Sequence, residues 1–123
     1  MPDLAFVLLY VANPPKSAEF YAALLGRPPV ETSPTFAMLP LREGVMLGLW
    51  SRKTVEPAAG GTGTEGEVAF TVADADAVRK THADWKTRGL KIAQTPTAMD
   101  FGHTFVALDP DGHRLRVFAP AAP

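Results

Sequence analysis

The 123-residue chain contains no cysteine. That removes disulfides, thiolate metal sites and cysteine nucleophiles together. Long apolar runs are missing as well, since none reaches the ~18 residues that a membrane helix needs. The start, Met1-Pro2-Asp3-Leu4, lacks the basic residues and apolar stretch of a secretory signal. No excess of charge exists either: twelve Lys and Arg against thirteen Asp and Glu leave a formal net charge of -1. With no recurring basic patch, a phosphate-backbone partner has little electrostatic support. These absences lead us to expect a soluble cytoplasmic protein with no nucleic-acid or membrane partner, long enough for one domain with a real apolar core.

What is present begins with "LAFVLLYVAN", Leu4 to Asn13, a nearly continuous apolar run stopped at Asn13-Pro14. Its length favours a buried strand. Asn13 can cap a helix, with Pro14 at the first helical position, where its missing N–H costs nothing. The helix runs through "KSAEFYAALLG"; Phe20 and Leu24, four residues apart, share one apolar face, and Gly26 supplies the stop. Three short strands are expected near Pro29–Thr32, Phe36–Leu41 and Val45–Ser51. "EPAAGGTGTEG", Glu56 to Gly66, has glycines but no lysine and no helix after them. It reads as a flexible linker, not a phosphate cradle.

The order then repeats. A strand in "GEVAFTVAD" is followed by Asp74 as a cap and by the helix "ADAVRKTHADWKTRG", with Val78 and Trp85 on one stripe and Gly89 at its end. Strands near Leu90–Thr95, Thr104–Leu108 and Arg114–Phe118 complete the second unit. Val11-Ala12-Asn13 corresponds to Val72-Ala73-Asp74, and Ser33-Pro34 to Thr95-Pro96. We read an internal duplication of about sixty residues. The fold class is α+β, with two tandem βαβββ modules at 3–52 and 67–119 joined by a linker at 53–66, in one domain. One helix covers one face of each four-stranded sheet, and the uncovered faces curve around a shared cleft. Strand alternation then sends Val7, Leu9 and Val11 to the helix and Phe6, Leu8 and Tyr10 to the cleft. By the same rule Glu67, Ala69, Thr71, Met46, Gly48, Trp50, Arg114, Arg116 and Phe118 face the cleft.

This tandem arrangement, with "KSAEFYAALLG" and "DPDGHRLRVF", resembles the vicinal oxygen chelate superfamily, which includes glyoxalase I, extradiol dioxygenases and bleomycin-binding proteins. "LWS" and "FGHTFVALDPDGHRLRV" look most like its phenazine-antibiotic resistance proteins, which bind their drug. The resemblance implies a homodimer with clefts between subunits. Metal-using members place ligands on the first, fourth, fifth and eighth strands, at positions that fall here on Phe6, Gly48, Glu67 and Arg116. Phe6 and Gly48 have no donor atom, and arginine is a permanent cation. One carboxylate does not hold a metal, so no metal, no cofactor and no catalytic residue is expected. A one-residue slip would exchange the faces, but the neighbours Ala5, Val7, Leu47, Leu49, Leu115 and Val117 are all apolar, so the expected absence of a metal survives it.

Nor do the three histidines assemble a site. His82 lies mid-helix at the solvent edge. If Leu108 pairs with His113, His103 falls opposite Phe118, about 17 Å away along the ladder; His103 stays a possible ligand contact at a strand mouth. Ser17, Ser33 and Ser51 lack a nearby histidine and carboxylate in a recognisable order. Asp74/Asp76 and Asp109/Asp111 are explained by capping and turn formation. Aromatic surface remains. Trp50, Phe36, Phe6, Tyr10 and Phe101 are the candidate walls, Gly48 leaves room for a flat ligand beside the Trp50 indole, and Trp85 belongs to a core stripe. Arg116 either meets a ligand oxygen or pairs with Glu67. The expected function is metal-independent binding and sequestration of a planar aromatic molecule of the phenazine-antibiotic type. The alternatives are a metal-dependent lyase, isomerase or transferase of the glyoxalase kind, and a sensor module.

Overall fold

The computed structural model describes residues 2–60, 65–108 and 112–121. Eight strands and two helices follow in the order β1 (Asp3–Val11), α1 (Pro14–Leu25), β2 (Glu31–Thr32), β3 (Phe36–Arg42), β4 (Val45–Ser51), β5 (Gly66–Thr71), α2 (Ala75–Thr87), β6 (Lys91–Met99), β7 (Gly102–Leu108) and β8 (Arg114–Pro120). They form one mixed sheet ordered β2-β3-β4-β1-β5-β8-β7-β6. Each βαβββ unit keeps its first strand parallel to its last, β1 with β4 and β5 with β8. The units join where β1 and β5 pair antiparallel. Gly66 makes that junction feasible, because a Cβ there would sit 2.4 Å from the Leu8 carbonyl oxygen.

Local chemistry sets the helices. The Asn13 side chain accepts from the Lys16 N–H, Pro14 and Pro15 open α1, and Gly26 closes it in the left-handed conformation at φ 70°. Asp74 likewise accepts from Ala77 N–H at the start of α2, and Gly89 lies just beyond its end at φ 91°. Helix α1 lies across β2, β3 and β4, and α2 across β6, β7 and β8. Two cores result. Ala18, Ala37, Leu39, Leu47 and Leu49 fill the first, with Leu9, Val11 and Tyr21 against them. Val78, Phe105, Ala107, Val117 and Ala119 fill the second, with Phe70, Val72 and Trp85. Each fully buried Leu or Phe contributes roughly 1.5–3 kcal/mol.

Several expectations need correction. Phe20 and Leu24 do not face the sheet; they are 62% and 68% exposed, and α1 instead buries Pro14 and Ala18, with Tyr21 and Ala22 packed partly against the same core. Small residues there let the helix approach β3 closely, which leaves the bulkier stripe outside. β2 is only Glu31–Thr32, shorter than expected. β6 runs through Thr95-Pro96 to Met99, absorbing that pair in a register shift between Gln94 and Thr97, whereas Ser33-Pro34 is a true loop. The last hairpin pairs Leu108 with Arg114 and His103 with Ala119, one residue from the expected register. His82 is half-buried with its ring 5.3 Å from that of Phe105. Of the expected linker, 61–64 lie outside the described residues, as do 109–111 of the hairpin turn. Its near end is ordered by the protein core, as described below, and its last residue, Gly66, opens β5.

Candidate functional site

Alternation along the strands leaves one sheet face free of helices, and there five aromatic rings meet in a closed circuit, four of the contacts edge to face and Phe6–Phe118 tilted. Phe6 on β1 lies 6.4 Å from Phe36 on β3, and Phe36 lies 6.3 Å from Trp50 on β4. Trp50 is 6.0 Å from Phe101, Phe101 is 6.2 Å from Phe118 on β8, and Phe118 returns to Phe6 at 6.0 Å. Centroid separations of 4.5–7 Å with tilted planes are the favourable geometry for such rings. Phe36 and Trp50 are held by direct pairing of β3 with β4. Phe101 sits in the β6–β7 turn, fixed by its carbonyl accepting from Ala121 N–H at 2.8 Å. Gly102 beside it has φ 140°, and a Cβ there would stand 2.0 Å from the Ala119 carbonyl oxygen. Only glycine fits that approach.

The circuit walls a cavity of about 590 Å³, whose lining also includes Leu8, Met38, Ala69, Arg116, Asp100 and Glu31. Both modules of one chain supply its walls. A second cavity of about 330 Å³ adjoins it, sharing Thr35, Trp50 and Asp100.

Beneath the rings lies a buried polar network. Arg116 donates from Nε to Glu67 Oε2, and from Nη2 to Glu67 Oε1 at 3.3 Å. Its Nη2 also reaches the Glu56 carbonyl at 2.5 Å, and its Nη1 reaches Thr104 Oγ1 at 3.3 Å. Arg114 donates to the carbonyls of Pro57 at 2.5 Å and Ala58 at 2.6 Å. The segment Glu56–Ala58 is therefore a strap tied down by two arginines, with Val55 buried behind it. The Tyr10 hydroxyl donates to Glu67 Oε1 at 2.6 Å, while the Arg114 guanidinium lies 5.5 Å from the Tyr10 ring centroid. Burial, then the charge of Glu67, pushes the Tyr10 hydroxyl well above its ordinary ionisation range. The Arg116 guanidinium also lies 5.0 Å from the Trp50 centroid and 5.8 Å from that of Phe101. Such cation–π contacts contribute roughly 0.5–2 kcal/mol.

The six candidate residues thus divide. Phe6, Phe36, Trp50, Phe101 and Arg116 line the aromatic cavity. Tyr10 was expected as a wall but is not; it faces the same side, 3% exposed, within the polar network. Gly48 offers no slot either, because a Cβ there would meet Leu8 at 3.0 Å and Phe36 at 3.2 Å. Those two side chains already fill the space. Of the two roles open to Arg116, pairing with Glu67 is the one present. Phe118 belongs to the circuit although only its place on the cleft face pointed to it. The strap carried no side-chain signal, since its contribution is backbone carbonyls. His103 is exposed on β7 and lines neither cavity.

The four positions where a metal would be held do not fit one. Phe6 and Gly48 offer no donor, Arg116 is a cation, and both oxygens of Glu67 are engaged by Arg116 and Tyr10. Among the described residues no group of three His, Cys, Asp or Glu gathers anywhere. No helix among them is long and apolar enough to cross a membrane.

Comparison with known proteins supports the fold. The chain is 29% identical over 113 residues to the phenazine antibiotic resistance protein EhpR of Enterobacter agglomerans, covering 89% of this chain and 86% of that one. It is 47% identical to a solved structure of NAD-dependent benzaldehyde dehydrogenase from Legionella pneumophila, with TM-score 0.86 over 94% of this chain and 98% of the other. A Streptomyces coelicolor methylmalonyl-CoA epimerase shares the fold at 23% identity, TM-score 0.71 and 98% coverage of each chain. Residues 3–117 match the Glyoxalase/Bleomycin resistance protein/Dioxygenase superfamily, and the chain belongs to that family.

Proposed function

We propose that this protein binds and sequesters a planar aromatic small molecule of the phenazine-antibiotic type, without a metal and without chemistry on the ligand. The closed circuit of five rings around a 590 Å³ cavity carries this reading. The volume falls in the range of drug-sized pockets. A flat ligand gains roughly 0.5–1.5 kcal/mol per stacked ring beyond burial, enough with burial for micromolar affinity, about -8 kcal/mol. Arg116 contributes its charge beside the Trp50 and Phe101 rings and not a forked pair of donors, because Glu67, Glu56 and Thr104 already take most of its N–H groups. The likeness to EhpR supports the ligand class. We take the chain as one domain, since both modules wall the cavity, working in the cytoplasm as a homodimer; sedimentation of the purified protein tests the dimer.

The test is tryptophan fluorescence during titration with phenazine-1-carboxylate. Trp50→Phe should abolish saturable quenching and Trp85→Phe should leave it. Trp50→Ala should weaken binding at least about tenfold, the loss of ~1.4 kcal/mol, with the fold intact. Unchanged affinity in Trp50→Ala would remove the stacking claim.

A second reading, an enzyme, is favoured by the 47% identity to the Legionella protein named a dehydrogenase. Doubly wound dehydrogenase folds hold a nicotinamide cofactor at a glycine-rich strand-to-helix turn. Both such turns here, Ala12-Asn13 and Val72-Ala73-Asp74, contain none. Formation of NADH from NAD and benzaldehyde, or a stoichiometric metal in protein purified without chelator, would favour the enzyme over the binding protein.

A further inference from the structure

The smaller cavity behind Trp50 has a chemistry unlike that of its neighbour. Thr54, Glu56, Gln94 and Thr97 line it, together with Thr35 and Asp100 from the shared wall. Acceptors predominate, two of them carboxylates, and no lysine, arginine or histidine is among its lining residues. Gln94 adds an independent sign. Its Oε1 is buried and accepts no hydrogen bond among the described residues, and its Nε2 has only the Met99 sulfur at 3.8 Å. Sulfur is a weak acceptor, so both ends of this amide are poorly satisfied. A buried acceptor without a partner is costly, and a donor that reached it would recover that cost. A half-turn of the amide about its last torsion exchanges its two ends and puts the oxygen on the side of Met99, which lines this cavity.

We infer that this cavity is a second subsite, taking a hydrogen-bond-donating, cationic side arm, such as a primary amine, carried by the same ligand whose rings occupy the aromatic cavity. The inference rests on the aromatic cavity being the ligand site. Trp50 forms the common wall, so a ring system beside its indole can pass a substituent around its edge. Glu56 and Asp100 supply negative charge to an ammonium group. Gln94 supplies an acceptor for one of its N–H groups, and Thr35 and Thr97 can accept others. A ligand lacking the arm leaves this acceptor set unused.

The experiment compares phenazine, phenazine-1-carboxamide and 1-(aminomethyl)phenazine by calorimetric titration of the full chain. The aminomethyl compound should bind at least about tenfold more tightly than phenazine, with the carboxamide between them. The gain should shrink as salt is added, because the two carboxylates are solvent-exposed. Gln94→Leu and Glu56→Gln should each reduce the gain severalfold while leaving the affinity for phenazine unchanged. Neither side chain lines the aromatic cavity. If phenazine binds and the amine adds nothing, or if its advantage survives both substitutions, the second subsite is wrong and the sequestration reading stands. If none of the three compounds binds, both fall together.

Discussion

Replacing Glu67 by glutamine removes one charge and almost no volume, so its cost isolates the buried ion pair. The side chains of Arg116 and Glu67 are 3% and 0% exposed. Arginine stays protonated whatever surrounds it, so the substitution strands its charge. The amide retains one acceptor oxygen, for which Tyr10 and Arg116 must then compete. Its NH2 group meets an arginine N–H, donor against donor. Arg114 lies in the same network and is held by carbonyls, so among the described residues no second carboxylate of that network takes over. Breaking a buried pair from one side costs about 3–5 kcal/mol, against roughly 1 for an ordinary neutral hydrogen bond. At this chain length each kcal/mol moves Tm by roughly 3–6 °C, so Glu67→Gln should melt on the order of 10–30 °C below the parent. Urea and thermal unfolding followed by circular dichroism measure both quantities. A Glu67→Met/Arg116→Met double variant restores apolar contact without stranding a charge. It should lose less than Glu67→Gln, although it also gives up the Glu56 carbonyl bond. A loss below about 1 kcal/mol for Glu67→Gln would refute the claim that Glu67 neutralises the buried charge of Arg116.

Tyr10 gives a pH-dependent counterpart. Its folded ionisation lies above the usual value, so the stability it contributes is complete below about pH 10 and is lost as pH rises further. Wild type should therefore lose stability more steeply than Tyr10→Phe above about pH 10; equal slopes in alkaline urea titrations would dismiss the effect. Gly102→Ala should fail to fold or lose several-fold soluble yield, because its Cβ meets the β8 backbone and its φ disfavours side chains. A folded variant with parent-like Tm would show that the β6–β7 turn is freer than drawn.

Features decided by neighbours in sequence were the legible ones. Asn13 and Asp74 cap because a short acceptor side chain stands three residues before an open N–H, and strand alternation placed Phe6, Trp50 and Arg116 on one face without knowledge of the sheet. What escaped was set by distance. Phe20 and Leu24 make an apolar pair as plausible as Ala18 and Tyr21, and only the close approach of α1 to β3 chooses between them. Thr95-Pro96 looks like a turn, yet a register shift lets an edge strand carry it. The Glu56–Ala58 strap could not be read at all. Its carbonyls are common to every residue, and the arginines that select them lie 56 to 60 positions away.

That strap also explains why the last strand carries arginine where metal-using relatives are expected to carry a carboxylate. A divalent ion would organise the centre of the sheet by drawing in anionic side chains. Here Arg116 does it from the opposite sign, drawing in Glu67, a hydroxyl and a backbone carbonyl, while Arg114 takes two carbonyls more. Of the five guanidinium N–H donors of Arg116, Nε uses one, Nη2 two and Nη1 one, which leaves a single N–H. The group is spent as a hydrogen-bonding fork, but its charge remains over the Trp50 ring, 5.0 Å from the centroid. Selection in the larger cavity therefore rests on shape and stacking, and hydrogen-bond selection must come from groups that are still unpaired.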